Sequence, residues 1–209
     1  KIAEIGRAAI LGLTATAAPR VQREIVERLD MEDPKVVVQD FDRPNIHLAV
    51  ERFRDDDAKR SALIDGVVAR KTPGIVYAAR RRDTEEIAEA LRERGIAASA
   101  YHAGLKASER DAIQHAFMAD KLEVIVATIA FGMGIDKPNV RFVWHHDISD
   151  SLDAYYQEIG RAGRDGEPAD ALLLYVPEDL DLRRFQAGAG QIVQDEVEQV
   201  IRELGQSDG

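Results

Sequence analysis

Two arginines three positions apart carry the strongest chemical signal in the sequence. Arg161 and Arg164 lie in the segment 157–166, Gln-Glu-Ile-Gly-Arg-Ala-Gly-Arg-Asp-Gly, where three glycines within seven residues stop any helix. Each guanidinium presents a planar fork of N–H donors, so two of them on one stiff loop suit a polyphosphate group. The alternative is a pair of solvated arginines on a surface turn, and the local sequence alone leaves both interpretations open.

A second glycine-rich segment, 129–138, follows an apolar run that ends at Thr128. Within it, Gly132 and Gly134 let the backbone approach a ligand closely. Asp136 can accept a hydrogen bond from a sugar hydroxyl, while Thr128 offers a hydroxyl and an amide to a phosphate. The alternative is an ordinary glycine-rich loop after a strand.

Two further segments offer phosphate contacts. His102 and Gly104 follow an apolar run in Tyr101-His-Ala-Gly104, and the small residues there would let a phosphate approach the backbone. Three consecutive arginines, Arg80 to Arg82, precede a predicted helix, whose N-terminus attracts anions. The alternatives are a partly buried, hydrogen-bonded histidine and a solvated run of charge.

The composition excludes several kinds of site and partner. The chain has no cysteine, which rules out disulfides and thiolate zinc sites, and no Gly-Lys dipeptide, which rules out a P-loop within this sequence. His145 and His146 are neighbours on a predicted strand and point to opposite faces, so we expect no metal site there or elsewhere. The net charge of −10 argues against a uniformly basic nucleic-acid coat. No apolar run could span a membrane, and we expect a cytoplasmic protein.

Strands and helices alternate along the middle of the sequence. The strands are apolar throughout, which is typical of a parallel sheet covered on both faces, so we predict a doubly wound α/β domain over 44–176. The predicted strands are 47–53, 74–78, 96–101, 124–128, 140–145 and 171–176. The predicted helices are 58–70, one that begins with a capping box at Asp83 to Glu86, one capped by Ser108, and 152–159. Chemistry in such sheets sits at the carboxyl ends of the strands, where the candidate residues above should gather.

The two ends of the sequence have a different character. In residues 1–43 the patterns predict a strand at Ala9–Leu13, a helix from Pro19 to about Leu29 and a strand at Val36–Val38. These elements cannot close a core alone, so we expect this segment to complete a preceding domain and then to form a linker. Residues 177–209 carry eight acidic residues and three arginines, which predicts an acidic helical tail.

Taken in order, these segments resemble the RecQ family of superfamily 2 DNA helicases. The matching stretches are Leu13-Thr-Ala-Thr-Ala17, Phe41-Asp-Arg-Pro-Asn-Ile46, Gly74-Ile-Val-Tyr77, Ala100-Tyr-His-Ala-Gly104, Val126-Ala-Thr128, Ala130-Phe-Gly-Met-Gly-Ile135, Lys137-Pro-Asn-Val140, Tyr155-Tyr-Gln-Glu158 and Gly160-Arg-Ala-Gly-Arg-Asp-Gly166. The DEAD-box RNA helicases differ in their last motif, which has a histidine where Tyr156 stands. One position departs from the RecQ pattern, because Ala79 replaces the usual Ser or Thr before the arginine of the fourth motif.

The resemblance implies two RecA-like domains, with ATP and Mg²⁺ between them and DNA across their tops. This chain would be a remnant of the first domain (1–43), the whole second domain (44–176) and the tail. The implied activity is ATP hydrolysis coupled to 3′-to-5′ translocation and duplex unwinding in DNA repair and recombination, on single strands and duplex junctions. ATP and Mg²⁺ would be bound mainly by the first domain, no zinc is expected, and the 209-residue chain alone should not hydrolyse ATP.

The resemblance also implies a role for each candidate residue. Arg164 would be the arginine finger, and the other residues expected near ATP are Arg161, Gln157, Asp136 and Gly134. Gln157 would couple the nucleotide to Thr14 and Thr16. The expected DNA-backbone residues are Arg80, His102, Gly104 and Thr128. Two alternatives stay open, namely a non-catalytic nucleic-acid binding or annealing module and a superfamily 2 translocase that acts on RNA, and the sequence does not define the oligomeric state.

Overall fold

Six parallel strands form one sheet in the computed structural model, which describes residues 10–13, 19–37, 43–70, 73–132 and 135–180. The strands are β1 (Ile46–Arg52), β2 (Gly74–Tyr77), β3 (Ala98–Tyr101), β4 (Val124–Ala127), β5 (Phe142–His145) and β6 (Ala169–Tyr175). The helices are α1 (Pro19–Arg28), α2 (Asp56–Val68), α3 (Arg81–Glu93), α4 (Ala107–Met118) and α5 (Leu152–Ile159). The order of strands across the sheet is β1-β6-β5-β2-β4-β3.

Helices cover both faces of this sheet. On one face, α2 and α3 bury side chains such as Leu63 and Leu91 against the strands. On the other face, Phe117 of α4 and Ile159 of α5 belong to a second buried cluster. Strands β2, β4 and β5 are buried at every position, as expected where helices cover both sides. The predicted doubly wound α/β fold is therefore confirmed.

Two strands predicted near the amino terminus are not formed by the described residues. Residues 10–13 and 36–37 have no regular secondary structure, and Leu11, Leu13 and Val37 are exposed. A buried strand needs a paired neighbour, and within the described residues no strand lies beside either segment. The helix predicted from Pro19 is present as α1, and residues 177–180 of the predicted tail are helical. The remainder of the tail, from 181, lies outside the described residues.

Two predicted helix starts were wrong, one by three residues and the other by two, because other residues hold the positions of the expected caps. The box at Asp83 is not a cap, since α3 begins at Arg81 and Asp83 is buried within the first turn, 3.4 Å from Arg60. Ser108 is not a cap either, because α4 begins one residue before it, at Ala107. At that start, the carboxylate of Glu109 accepts a hydrogen bond from the Lys106 amide at 2.8 Å. Both corrections leave the loops before these helices at the same edge of the sheet.

Because all strands are parallel, their carboxyl ends share one edge of the sheet. The segments after β2, β3 and β4 carry Arg80, His102 and Thr128, and these strands are adjacent in the order β2-β4-β3. The segments after β5 and β6 reach the same edge, which brings Asp147 and Asp179 toward the first group. The fold therefore gathers the predicted phosphate contacts at one place, as the sequence indicated.

Candidate functional site

The loop 160–166 is held by side chains from the segment before β1. Arg43 Nη2 donates to the carbonyl oxygens of Ala162 and Gly163, at 2.9 Å each, and Asn45 Nδ2 donates to the Gly163 carbonyl at 2.8 Å. Gly163 has φ +54°, and a Cβ there would stand 2.5 Å from Asn45 Nδ2, so no other residue fits. Arg43 lies in the predicted linker and Asn45 directly after it, and the sequence analysis missed the anchoring role of both side chains.

Arg164 forms an ion pair with Asp136 in this structure. Its Nη1 donates to the Asp136 carboxylate at 2.6 Å and to the Ile135 carbonyl at 3.0 Å. The side chain of Asp136 is 85% exposed and that of Arg164 32% exposed, so the pair lies at the surface. Two residues predicted to meet ATP are thus brought together, and an anion arriving at this point would compete with Asp136 for the guanidinium.

Arg161 is held more deeply than Arg164. Its Nη1 donates to the Gly132 carbonyl, and its Nε is buried without a hydrogen-bond partner among the described residues. Beside it, the Tyr77 hydroxyl donates to the Phe131 carbonyl at 2.9 Å. Burial raises the pKa of Tyr77 to about 12, although the neighbouring Arg161 guanidinium opposes the rise. Arg161 therefore fixes the loop after β4 to the loop after α5.

Three predicted residues lie outside the described part of the chain. These are Gly134, Thr14 and Thr16. Gln157 is described, and its side chain is exposed on α5, one turn before Arg161. The expected coupling of Gln157 to Thr14 and Thr16 accordingly stays a prediction.

A buried carboxylate anchors α5, and the sequence reasoning missed it. Glu158 accepts a hydrogen bond from Ser149 Oγ at 2.7 Å, and its carboxylate lies 2.9 Å from His145 Nε2. The His145 ring stacks on Tyr77, with 5.3 Å between ring centroids, and contacts Tyr155 on its other side. Two features of the sequence could have identified this group. Glu158 is an acidic residue beside apolar positions of a predicted helix, and His145 lies at the end of a predicted strand. The cluster ties β5 to α5, the helix that carries Gln157. This helix leads into the loop 160–166, which carries Arg161 and Arg164 and is called the arginine loop below.

Arg80 and Thr128 line one open cavity of about 280 Å³ at the carboxyl ends of β2, β4 and β5. The Arg80 side chain is 66% exposed, so it can turn toward a ligand above the cavity. Thr128 is half-buried, and its backbone N–H donates to the Tyr101 carbonyl at 3.1 Å, so this amide is not open to a phosphate as the sequence suggested. Its hydroxyl accepts from the Ala130 amide at 3.4 Å. Four acidic side chains also line the cavity, Asp147, Asp150, Glu158 and Asp179, so a phosphate would stay at the rim beside Arg80.

His102 is buried, as in the structural alternative left open by the sequence. Its side chain is 5% exposed, Nε2 lies 3.0 Å from the Glu85 carboxylate, and Nδ1 is buried without a partner in the described residues. A Cβ on Gly104 would stand 3.1 Å from His102 Nδ1 and 3.0 Å from Arg81 Nη1. The absent side chain therefore leaves a space where two nitrogens converge. The DNA contacts of His102 and Gly104 stay predictions, and Arg81, one of the three consecutive arginines noted in the sequence, lies beside them.

The described residues contain no helix long and apolar enough to cross a bilayer. In the same part of the chain, no group of three or more His, Asp or Glu side chains is arranged to hold a metal ion.

Comparison with known proteins gives the family. Residues 58–166, more than half of the chain, match the helicase conserved C-terminal domain. The chain is 48% identical over 174 residues to the ATP-dependent DNA helicase RecQ of Pasteurella multocida, covering 82% of this chain and 27% of that relative. It is 42% identical over 178 residues to the protein of the same name from Bacillus subtilis, covering 84% of this chain and 29% of that relative.

A solved structure shows the same fold. The E. coli DEAD-box protein SrmB, solved bound to the regulator of ribonuclease activity A, aligns with a TM-score of 0.60 and 29% identity, over 66% of this chain and 81% of that one. This likeness confirms the expected RecA-like helicase domain. The chain spans less than a third of the length of the two RecQ relatives above. It belongs to the helicase conserved C-terminal domain family and, within that family, to the RecQ helicases.

Proposed function

We propose that the protein containing this chain is an ATP-dependent DNA helicase of the RecQ type, which unwinds duplexes by 3′-to-5′ translocation in DNA repair and recombination. The observation that carries the proposal is the pairing of Arg164 with an exposed carboxylate, Asp136, across two anchored loops at the strand ends. A guanidinium held in this way keeps its geometry and can exchange one anionic partner for another. The names of the two RecQ relatives support the same function.

The proposed nucleotide role falls to the arginine loop. ATP, with Mg²⁺ bound mainly by another domain, supplies the phosphoryl group whose transfer drives the cycle. Arg164 leaves Asp136 and meets the γ-phosphate, where a guanidinium stabilises charge that develops in the transition state. Arg161 stays on the Gly132 carbonyl and keeps the loop in place. Asp136, once released, is free to accept from the ribose.

The proposed DNA role falls to the rim formed by Arg80, Arg81, Gly104 and Thr128. These groups present a guanidinium, a hydroxyl and an approachable backbone, which contact phosphate and sugar without reading base edges. Binding is therefore independent of sequence. Because acidic side chains line the cavity below the rim and the contacts are few, the isolated chain should bind single strands weakly, with an affinity that falls as a low power of the salt concentration.

The experiment is a strand-displacement assay with the full-length protein on DNA and RNA duplexes that carry a 3′ or a 5′ single-stranded tail. The proposal expects ATP-dependent displacement of 3′-tailed DNA. Displacement of RNA alone would favour the RNA translocase, and strand annealing without ATP would favour the binding module. As a companion, ATPase activity by the 209-residue chain alone should not exceed background, since this sequence contains no P-loop.

A further inference from the structure

Lys59 lies on α2 and is fully buried, with 0% of its side chain exposed, whereas a lysine on a helix usually reaches solvent. Its Nζ is 2.9 Å from Asp179 Oδ2, 3.0 Å from Asp56 Oδ1 and 3.9 Å from Asp147 Oδ1. A buried ammonium is costly unless carboxylates surround it. The positions of the three carboxylates therefore show which segments of the chain the Lys59 ammonium links.

Each carboxylate comes from a different part of the carboxyl edge. Asp147 follows β5, and Asp179 follows β6, where it also accepts a hydrogen bond from the Val176 amide at 3.0 Å. The second oxygen of Asp147 accepts from the Ala79 amide, just after β2, at 2.8 Å. Because β6, β5 and β2 are neighbours in the sheet, one ammonium links the ends of three adjacent strands.

The charges in this cluster reinforce one another. Burial alone would lower the pKa of Lys59, but hydrogen bonds to Asp179 and Asp56 and attraction to Asp147 outweigh it and raise the pKa above its ordinary value. Burial would raise the pKa of Asp147, but hydrogen bonds from His146 and the Ala79 amide, with attraction to His146 and Lys59, lower it to about 2. Lys59 and Asp147 are therefore both ionised at neutral pH, and Asp147 stays available as an acceptor.

The Ala79 amide is the point at which this cluster meets the DNA rim. Ala79 directly precedes Arg80, and both line the same cavity as Thr128 and Asp147. Directly after β2, the Ala78 amide still donates to the Ala127 carbonyl of the neighbouring strand. For the next amide, that of Ala79, the only acceptor among the described residues is the Asp147 carboxylate. That carboxylate therefore helps to direct the chain as it leaves β2, together with the start of α3, where the Arg80 carbonyl accepts from the Thr84 amide at 3.2 Å.

We propose that Lys59 is a positioning residue for DNA binding, which fixes the Ala79–Arg80 segment by holding the Asp147 carboxylate against the Ala79 amide. This role rests on the proposed DNA-binding function of the rim. Lys59 itself contacts no DNA, since it is fully buried.

The first test reads the position of the loop without DNA. Hydrogen exchange of the Ala79 amide is measured by NMR in the wild-type chain, in Lys59→Met and in Lys137→Met. Lys137 is the matched control, because its side chain is also buried. Its Nζ lies 2.6 Å from the carboxylate of Asp120, which is away from the rim. We expect the protection of Ala79 relative to Ala78 to fall about tenfold in Lys59→Met, as for loss of one ordinary hydrogen bond, and to stay unchanged in Lys137→Met. Unchanged protection in Lys59→Met would overturn the proposal.

The second test is a double-mutant cycle on the affinity of the chain for a fluorescent oligothymidylate. Lys59→Met should weaken binding as much as Arg80→Ala does, and each should reduce the slope of log affinity against log salt by about 0.7, the value for one phosphate contact on a single strand. In the Arg80→Ala background, Lys59→Met should add nothing. Additive losses would mean that Lys59 acts on stability alone, and the positioning role would be wrong.

A second variant keeps both tests decisive if Lys59→Met does not fold. Lys59→Met with Asp179→Asn removes one negative charge as well, and the Asn oxygen can still accept from the Val176 amide. The same exchange and binding results are expected of it. If the wild-type chain binds no oligothymidylate while Ala79 protection falls as described, the DNA function of the rim fails and the structural link from Lys59 to Ala79 stands.

Discussion

The two sides of the carboxyl edge differ in how their arginines are held. On the nucleotide side, Arg161 and Arg164 both donate to carbonyl groups of their own domain, and Arg164 also pairs with Asp136. On the DNA side, Arg80 is mostly exposed and only loosely paired, 3.8 Å from Asp83. The DNA side is therefore built for direct contact, whereas the nucleotide side must give up existing contacts before it can act. Under the proposed function, that difference places the ATP-dependent switch at the arginine loop.

The largest expected effect comes from Arg164. In the full-length protein, Arg164→Ala should lower ATP turnover by about 10³ to 10⁵, as for loss of an arginine finger, while nucleotide and DNA affinities change little. Steady-state ATPase beside equilibrium binding of a nucleotide analogue measures both. Arg164→Lys should recover little, because an ammonium cannot form the bidentate fork. Near-normal turnover in Arg164→Ala would mean that Arg161 is the finger or that the loop only supports the fold.

The next largest effect concerns Asp147 and its contribution to the free energy of unfolding. Asp147 has a pKa of about 2 in the folded chain, against 3.8 ordinarily, so its ionised form stabilises the fold above pH 3.8 and this contribution disappears as the pH falls toward 2. Asp147→Asn should lower the free energy of unfolding at neutral pH by roughly 2 kcal/mol. Urea unfolding at a series of pH values should show the two proteins converging in acid. A constant gap at all pH values would assign the loss to packing.

A smaller effect is expected from Arg80. Arg80→Ala should weaken single-strand binding and reduce the salt slope by about 0.7, because one phosphate contact is lost. Arg94→Ala is the control, since Arg94 is similarly exposed but pairs with Asp65 away from the rim. Fluorescence titrations at several salt concentrations give both slopes. Equal losses in the two variants would show that only general charge matters.

The smallest effect concerns the ion pair between Asp136 and Arg164, the proposed arginine finger. Asp136→Asn should change the free energy of unfolding by no more than about 1 kcal/mol, because the pair lies at the surface and such pairs contribute little. Thermal unfolding of the 209-residue chain measures it. A loss of several kcal/mol would contradict the comparison between the two sides, because Arg164 would then be locked in its own domain.

The sequence predicted the sheet and the edge at which the candidate residues gather, but not the contacts between them. Apolar strands and glycine-rich loops are local patterns, so 74–78, 124–128 and the loops after them were placed within a residue or so. The pairing of Arg164 with Asp136 joins residues 28 positions apart and depends on how two loops fold back. Lys59 was missed for the same reason, since a lysine on an amphipathic helix reads as solvated until the carboxylates that bury it are in place.

Tyr77 gives the two sides of the edge a shared part. It is the last residue of β2, two positions before the Ala79 amide, and its hydroxyl holds the Phe131 carbonyl of the loop that Arg161 also grips. Tyr77 therefore joins the loop after β4 to the strand whose end leads into the proposed DNA rim. Thermodynamic reciprocity then requires that whatever factor nucleotide applies to DNA affinity, DNA applies to nucleotide affinity. In the proposed helicase, the change in nucleotide affinity on binding DNA and the change in DNA affinity on binding nucleotide would thus be two measurements of one coupling free energy, carried in part by the Tyr77 hydroxyl.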